Sequence, residues 1–168
     1  MTLSQAPRRI AVFGVGNADR GDDGIGPLVT RALRGRLPAE VPVQARGGDM
    51  LALVEEWSGC DALICVDALA PLGAPGRIHR LDLAIEELPR ALAFTSSHAM
   101  GLADAIALAR VLGRAPADII VFGIEGCCFD DGAPMTPAVA AAAGEAADRV
   151  VAEVGRLRDG PREGAPNA

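Results

Sequence analysis

The chain has 168 residues, the size of one domain, and half of them are hydrophobic, which is enough to build a buried core. Its formal charge of −6 argues against non-specific binding to nucleic acid or to an anionic membrane surface. Lysine and tyrosine are absent, which excludes chemistry based on a Walker lysine, a Schiff-base lysine or a Tyr/Lys pair. We predict one domain over residues 1–168, with flexible ends at 1–7 and 159–168.

Strands are predicted in five places. Continuous apolar runs indicate buried strands at residues 10–15, 62–66 and 119–124, and a shorter strand at 41–45. Residues 76–83 have the polar character of an edge strand, which could run antiparallel to its neighbours.

Helices are predicted between these strands. Apolar residues recur at helical spacing from Ile25 to Leu33. Asp49 is a candidate N-cap for a helix through Trp57, with Leu51 and Val54 on its inner face. Further helices are predicted over residues 85–92, from 102 to 113, and from Thr136-Pro137 to 157. This alternation indicates an α/β fold with three layers, in which a twisted, mostly parallel sheet of about five strands carries helices on both faces.

The sequence shows no secretory signal pattern and no uninterrupted apolar run near the ~20 residues of a membrane helix. We therefore predict a cytoplasmic protein that does not bind membranes. Cys60, Cys65, Cys127 and Cys128 are predicted to be reduced thiols, with Cys65 in the core. They form no C-x-x-C pair, which disfavours a structural zinc site.

Three polar side chains fall at strand-to-helix junctions. Asp23 follows the first strand, Asp67 ends the third, and His98 precedes a helix. In a parallel sheet these junctions open on the same edge, so the three groups can meet despite their separation in sequence. Two carboxylates and an imidazole suit a labile divalent metal or the activation of a water molecule. Without a thiolate they do not form a tight zinc cage.

Each of these residues also has a structural interpretation. Asp22 and Asp23 could cap the first helix, whose N-terminal dipole favours anions, or one could cap while the other faces the cleft. Asp67 could serve the fold alone, and His98 could be a polar loop residue. His79, in the edge strand, is predicted to be a surface residue.

A nucleotide site has weak support. The motif Gly14-x-Gly16 is part of a dinucleotide fingerprint, but Asp19 occupies the position of the third glycine. Three aspartates in the same loop would repel a pyrophosphate rather than bind it.

Nucleophilic catalysis also has weak support. Cys127 and Cys128 are expected near the carboxyl edge of the sheet, but a nucleophilic cysteine needs a neighbour that stabilises its thiolate. Ser96 and Ser97 precede His98, yet the sequence has no G-x-S-x-G elbow.

Several short motifs together resemble a known family. Taken in order they are Gly14-Val15-Gly16-Asn17, Asp22-Asp23-Gly24-x-Gly26, Val66-Asp67-Ala68, His98-x-x-Gly101-Leu102-Ala103-Asp104 and Gly123-Ile124-Glu125. This set is similar to that of the hydrogenase maturation endopeptidases, which remove the C-terminal extension from the large subunit of nickel–iron hydrogenases. The resemblance runs from about Ile10 to Val154, and the order of the motifs is more specific than any one of them.

The resemblance implies a fold and a site. The fold is a twisted, mainly parallel five-stranded sheet between helices, forming a single peptidase domain. The metal-contacting acids of the family fall on Asp23 and Asp67, and its histidine falls on His98. The resemblance therefore implies that these three residues are both the catalytic and the metal-contacting groups.

Two segments depart from the family pattern. Arg46 stands before Gly47-Gly48, where the family commonly has an aspartate, which puts a role for an acid in that loop in doubt. Residues 126–131 also lack the proline that is usual in the corresponding loop, and this segment could tune which large subunit is accepted.

The predicted activity is that of an aspartic-type or metal-dependent endopeptidase acting on a nickel-loaded hydrogenase large-subunit precursor. The nickel is carried by the substrate, is bound transiently, and signals that metal insertion is complete. No organic cofactor and no nucleic-acid partner are expected. The alternatives are a non-catalytic nickel-site checkpoint or chaperone, a peptidase of the same fold acting on another protein, and, most distantly, a nucleotide-binding domain.

Overall fold

The computed structural model describes residues 6–83, 86–87 and 101–160. The strands are β1 (Ile10–Val15), β2 (Val43–Arg46), β3 (Ala62–Leu69), β4 (Ile78–Asp82) and β5 (Asp118–Glu125). The helices are α1 (Ile25–Ala32), α2 (Met50–Glu56), α3 (Leu102–Val111) and α4 (Pro137–Asp159), and a 3₁₀ turn (Gly21–Gly24) precedes α1. Most of the predicted helix at 85–92, and most of both chain ends predicted to be flexible, lie outside the described residues.

The strands form one sheet in the order β2-β1-β3-β5-β4. Strands β1, β2, β3 and β5 are parallel, and β4 runs antiparallel beside β5 at one edge. The predicted α/β architecture with a mostly parallel five-stranded sheet is therefore confirmed, including the antiparallel edge strand. The carboxyl ends of the four parallel strands meet at a single edge, called the carboxyl edge below.

The hydrophobic core has two layers, one on each face of the sheet. Even-numbered residues of β3, such as Ile64 and Val66, pack with apolar residues of α1 and α4. Odd-numbered residues, such as Leu63 and Cys65, pack with those of α2 and α3. Successive side chains of a strand point to opposite faces, so a strand buried on both must be apolar throughout, as β3 is up to Val66.

Helix α2 confirms one local prediction and corrects another. The carboxylate of Asp49 accepts a hydrogen bond from the Ala52 N–H at 3.0 Å, as expected of an N-cap. Val54 and Trp57 are buried as predicted, but Leu51 is 57% exposed. The inward face is continued by Leu53, which lies one turn before Trp57, and this leaves Leu51 on the solvent side.

Among the residues that the structure describes, no helix combines the length and apolar character needed to cross a bilayer.

Helix α1 lies unusually close to the sheet. A Cβ atom on Gly26 would overlap the Val15 carbonyl oxygen and come within 2.7 Å of the Val66 carbonyl oxygen. Both are backbone atoms of central strands, which cannot move aside as a flexible side chain would. The glycine therefore sets the distance between α1 and the strands that carry the candidate site.

We expect Gly26→Ala to lower the free energy of unfolding by about 1–3 kcal/mol or more, because an extra methyl group overpacks this contact. Gly144→Ala is the matched control, since Gly144 is also helical but has no neighbour within 4 Å of an added Cβ. The control should stabilise the protein by about 0.5–1 kcal/mol. Equal effects of the two substitutions in urea unfolding would contradict the close-contact explanation.

Candidate functional site

The loop after β1 places Asp23 at the carboxyl edge. Asp23 is only 3% exposed. Its Oδ2 accepts a hydrogen bond from the Asn17 N–H at 2.9 Å and lies 3.6 Å from Nη1 of Arg20. Its Oδ1 is buried and accepts no hydrogen bond from any residue within the described ranges. A buried carboxylate oxygen without a donor is free to bind a ligand, so it fits a metal-contacting role.

The glycines before Asp23 serve packing. Gly16 has a φ of +138°, and a Cβ there would overlap the Asp23 carbonyl oxygen. Gly14 is similarly close to the Gly26 carbonyl in α1. The glycines of the partial dinucleotide fingerprint thus bring Asp23 and α1 against β1, which explains the motif without a nucleotide.

Asp22 has a different role from its neighbour. Its buried carboxylate accepts hydrogen bonds from the backbone N–H groups of Cys127 (2.7 Å), Cys128 (2.9 Å) and Thr136 (2.7 Å), and from the Thr136 hydroxyl (2.8 Å). Burial raises the pKa of Asp22, but these hydrogen bonds outweigh burial and hold the pKa below its ordinary value. Asp22 therefore connects the first loop to the segment between β5 and α4. Its role is structural, whereas Asp23 is the candidate site residue.

Thr136 occupies the N-cap position of α4, with Pro137 next, as the sequence predicts. Its side chain makes no capping hydrogen bond to the helix, because the hydroxyl donates to Asp22 instead.

Asp67 lies inside β3, not beyond its end. The strand continues to Leu69, and Asp67 pairs with Gly123 of β5. The predicted end at residue 66 was too early because Asp67 is polar, yet it is 3% exposed. Its Oδ1 accepts a hydrogen bond from the Ala68 N–H at 2.8 Å.

The negative charge of Asp23 acts on Asp67. Burial raises the pKa of Asp67 well above its usual range; the hydrogen bond from Ala68 lowers it, and the negative charge of Asp23 raises it again. The structure thus brings together two of the three predicted site residues. His98 falls in the segment outside the described residues, and the residues that are described contain no cluster of three metal-ligating side chains.

A cleft of about 510 Å³ opens beside Asp23. Residues 16–18 line one side, residues 45–48 line the other, and Pro27 contributes from α1. Asn17, whose N–H holds Asp23, is part of this wall. Arg46 also lines the cleft, with its guanidinium in an ion pair with Glu56 at 3.1 Å.

A second polar pair at this edge was missed. Glu125 is 1% exposed, and its Oε1 lies 2.7 Å from Nε2 of His79. Burial raises the pKa of Glu125, but the hydrogen bonds from His79 and the Ala74 N–H outweigh it and lower the pKa. His79, predicted to be a surface residue, is half-buried, with 21% of its side chain exposed. The signal available in the sequence was an acid at the end of a buried strand.

The four cysteines are free thiols. Cys65 is buried in β3, as predicted, and burial raises the pKa of its thiol. Cys127 is exposed and Cys128 is half-buried, and both use their backbone N–H groups to hold Asp22. These two contacts are structural and require no thiol chemistry.

A family model and individual relatives both link the chain to hydrogenase maturation. The family model described as hydrogenase maturation protease matches residues 29–153. The chain is 33% identical over 150 residues to the hydrogenase 2 maturation protease of Escherichia coli K12, covering 86% of this chain and 89% of that protein. It is 32% identical over 147 residues to the hydrogenase expression/formation protein HupD of Bradyrhizobium diazoefficiens, covering 83% of this chain and 74% of that protein.

Solved structures agree with the fold. The hydrogenase maturating endopeptidase HybD from E. coli superimposes with a TM-score of 0.73 at 26% identity, over 89% of this chain and 93% of that one. The protease HycI from Thermococcus kodakarensis, at 22% identity, shares the fold with a TM-score of 0.69 over 88% of this chain and 93% of that one.

We expect Asp22→Asn to destabilise the protein by about 1.5–3 kcal/mol, because an amide NH₂ would replace one acceptor oxygen and face the N–H donors. Asp148→Asn is the control: its side chain is 69% exposed and pairs with Arg36 on the surface, so the change should be within about 0.5 kcal/mol. Urea unfolding at neutral pH measures both. Similar values for the two variants would show that Asp22 does not anchor the loop.

Proposed function

The chain belongs to the hydrogenase maturation protease family, and from this premise we propose that it is the endopeptidase that removes the C-terminal extension of a nickel–iron hydrogenase large-subunit precursor. The observation that carries the proposal is the pair Asp23 and Asp67 at the carboxyl edge. The two carboxylates are buried, the charge of Asp23 raises the pKa of Asp67, and Oδ1 of Asp23 has no donor among the described residues.

The substrate's nickel is the recognition element in this proposal. Asp23 and Asp67 contact the metal already held by the precursor, and His98 completes the set by resemblance to the family. Oxygen and nitrogen ligands without a thiolate bind a borderline metal weakly enough to release it with the product. The buried Oδ1 of Asp23 supports this role, because no described residue satisfies it.

The cleft beside Asp23 accommodates the precursor chain. Its walls are glycine-rich loops, so an extended backbone can approach Asp23 closely. With the chain held there, a carboxylate of the pair positions a water molecule to attack the scissile carbonyl carbon. The C–N bond then breaks, the water oxygen stays in the new carboxyl group, and a proton from the water goes to the leaving amine. We propose an aspartic-type or metal-dependent reaction of this kind, with no organic cofactor.

We place this activity in the cytoplasm. Cys127 is an exposed free thiol, which suits a reducing compartment.

We predict that Asp67→Asn abolishes processing of nickel-loaded precursor without unfolding the protein. Asparagine has the same shape, keeps an oxygen for the Ala68 N–H, and is easier to bury than a charge. The mass of the precursor after incubation reports cleavage, and circular dichroism reports folding. Full processing by the variant would remove Asp67 from the mechanism. Wild-type protein that binds the precursor without shortening it would be a checkpoint rather than a peptidase.

We also predict that nickel-loaded precursor is cleaved and nickel-free precursor is not, because the site contacts the metal as well as the chain. Both forms are incubated with the wild-type protein, and the released extension is quantified. Restoring nickel to the nickel-free precursor should restore cleavage. Equal cleavage of the two forms would contradict nickel recognition while leaving the peptidase activity in place.

A further inference from the structure

The loop between β3 and β4, residues 70–77, exposes apolar residues at the carboxyl edge. Residues 71–75 are all exposed and consist of proline, leucine, glycine and alanine, without a charge. Leu72 is 45% exposed. Contiguous exposed apolar residues can mark a surface that binds a protein partner.

Glu125 fastens this loop. Its Oε2 accepts a hydrogen bond from the Ala74 N–H at 3.0 Å, and its Oε1 is held by His79 at 2.7 Å. Its backbone carbonyl accepts from the Gly76 N–H at 2.8 Å, and its own N–H donates to the Arg77 carbonyl at 3.0 Å. One buried residue therefore fixes the second half of the loop through three hydrogen bonds, while His79 in β4 holds its carboxylate.

The loop is also pressed against α4. Gly76 has a φ of +87°, and a Cβ at this position would overlap the Ala138 carbonyl oxygen in the first turn of that helix. The loop is therefore held from two sides, although residues 71–75 are exposed. A fixed exposed loop can bind a partner without an ordering cost.

Glu125 and His79, called the clamp below, lie close to Asp67. Asp67 pairs with Gly123, and Gly123 pairs with His79, so the three occupy one row across β3, β5 and β4. Paired residues point to the same face, and neighbouring strands lie ~4.8 Å apart, which places the Asp67 and His79 Cα atoms about 10 Å apart. The loop starts immediately after β3, three residues beyond Asp67.

We propose that residues 70–77 form an apolar docking loop for the large-subunit precursor, and that Glu125 and His79 are positioning residues that hold this loop. Leu72 contacts an apolar side chain of the precursor near the scissile bond. The assignment rests on the proposed function for the identity of the partner. Continuity with Asp67 favours the precursor over a second copy of this chain, because the loop begins three residues beyond Asp67 and the residues that hold it share a row of the sheet with Asp67.

The test compares Leu72→Ser with Leu112→Ser. Leu112 is 53% exposed but lies at the end of α3, which runs from the carboxyl edge towards the start of β5, so it is remote from the site. With nickel-loaded precursor, Leu72→Ser should raise both the precursor Kd and KM about tenfold and leave kcat within about threefold. Leu112→Ser should match the wild type. Equal behaviour of the two variants would overturn the docking loop.

The clamp is tested with Glu125→Gln and Glu153→Gln. Glu153 is a comparably buried acid that pairs with Arg80 of β4, at 2.9 Å, on the opposite face of the sheet. Glu125→Gln should speed hydrogen exchange of the Ala74 and Gly76 amides at least tenfold and raise KM, whereas Glu153→Gln should do neither. Unchanged exchange in Glu125→Gln, or an equal rise in KM in the control, would overturn the positioning role.

The outcomes separate this inference from the proposed function. Precursor that binds in a Leu72-dependent manner but is never shortened would refute the peptidase and support the docking loop. Precursor that is cleaved with no dependence on Leu72 would support the peptidase and refute the docking loop. A wild-type dimer that Leu72→Ser converts to a monomer in sedimentation would assign the loop to self-association and overturn the proposal.

Discussion

The candidate site depends on one buried carboxylate, whose two oxygens are both bound within the protein. Asp22 is fully buried and accepts four hydrogen bonds from the segment that joins β5 to α4. An ionised acid so enclosed is tolerable only because every donor points at it. The same contacts fix the 3₁₀ turn, and hence the direction of Asp23 beside it. The fully hydrogen-bonded carboxylate of Asp22 thus fixes the position of Asp23.

Much of the fold follows from local rules. Apolar runs buried on both faces identify β1, β3 and β5, and β/α alternation makes their carboxyl ends converge. The convergence of Asp23 and Asp67 is therefore predictable from topology alone. The end of β3 is not, because a buried aspartate in a strand contradicts the pattern used to recognise strands. Such local violations are typical of functional positions.

Other features depend on register, which a single sequence does not reveal. The contact of His79 with Glu125 requires β4 to be antiparallel and aligned so that His79 faces Gly123. Shifting the strand by one residue would turn His79 to the other face. The exposure of Leu51 follows from which face of α2 meets the sheet. The different roles of Asp22 and Asp23 depend on a loop more than a hundred residues away in the sequence.

The anchoring of Asp22 has a consequence for the evolution of this loop. Cys127 and Cys128 contribute only main-chain groups to it, two N–H donors and the Cys128 carbonyl that accepts from the Asp22 N–H, so their side chains can change without removing these contacts. Proline is the exception, since it has no N–H and would delete a donor. A loop transplanted from a relative with proline at either position would leave Asp22 short of a partner. The side chains at these two positions can therefore diverge, while the backbone keeps the contacts that hold Asp22.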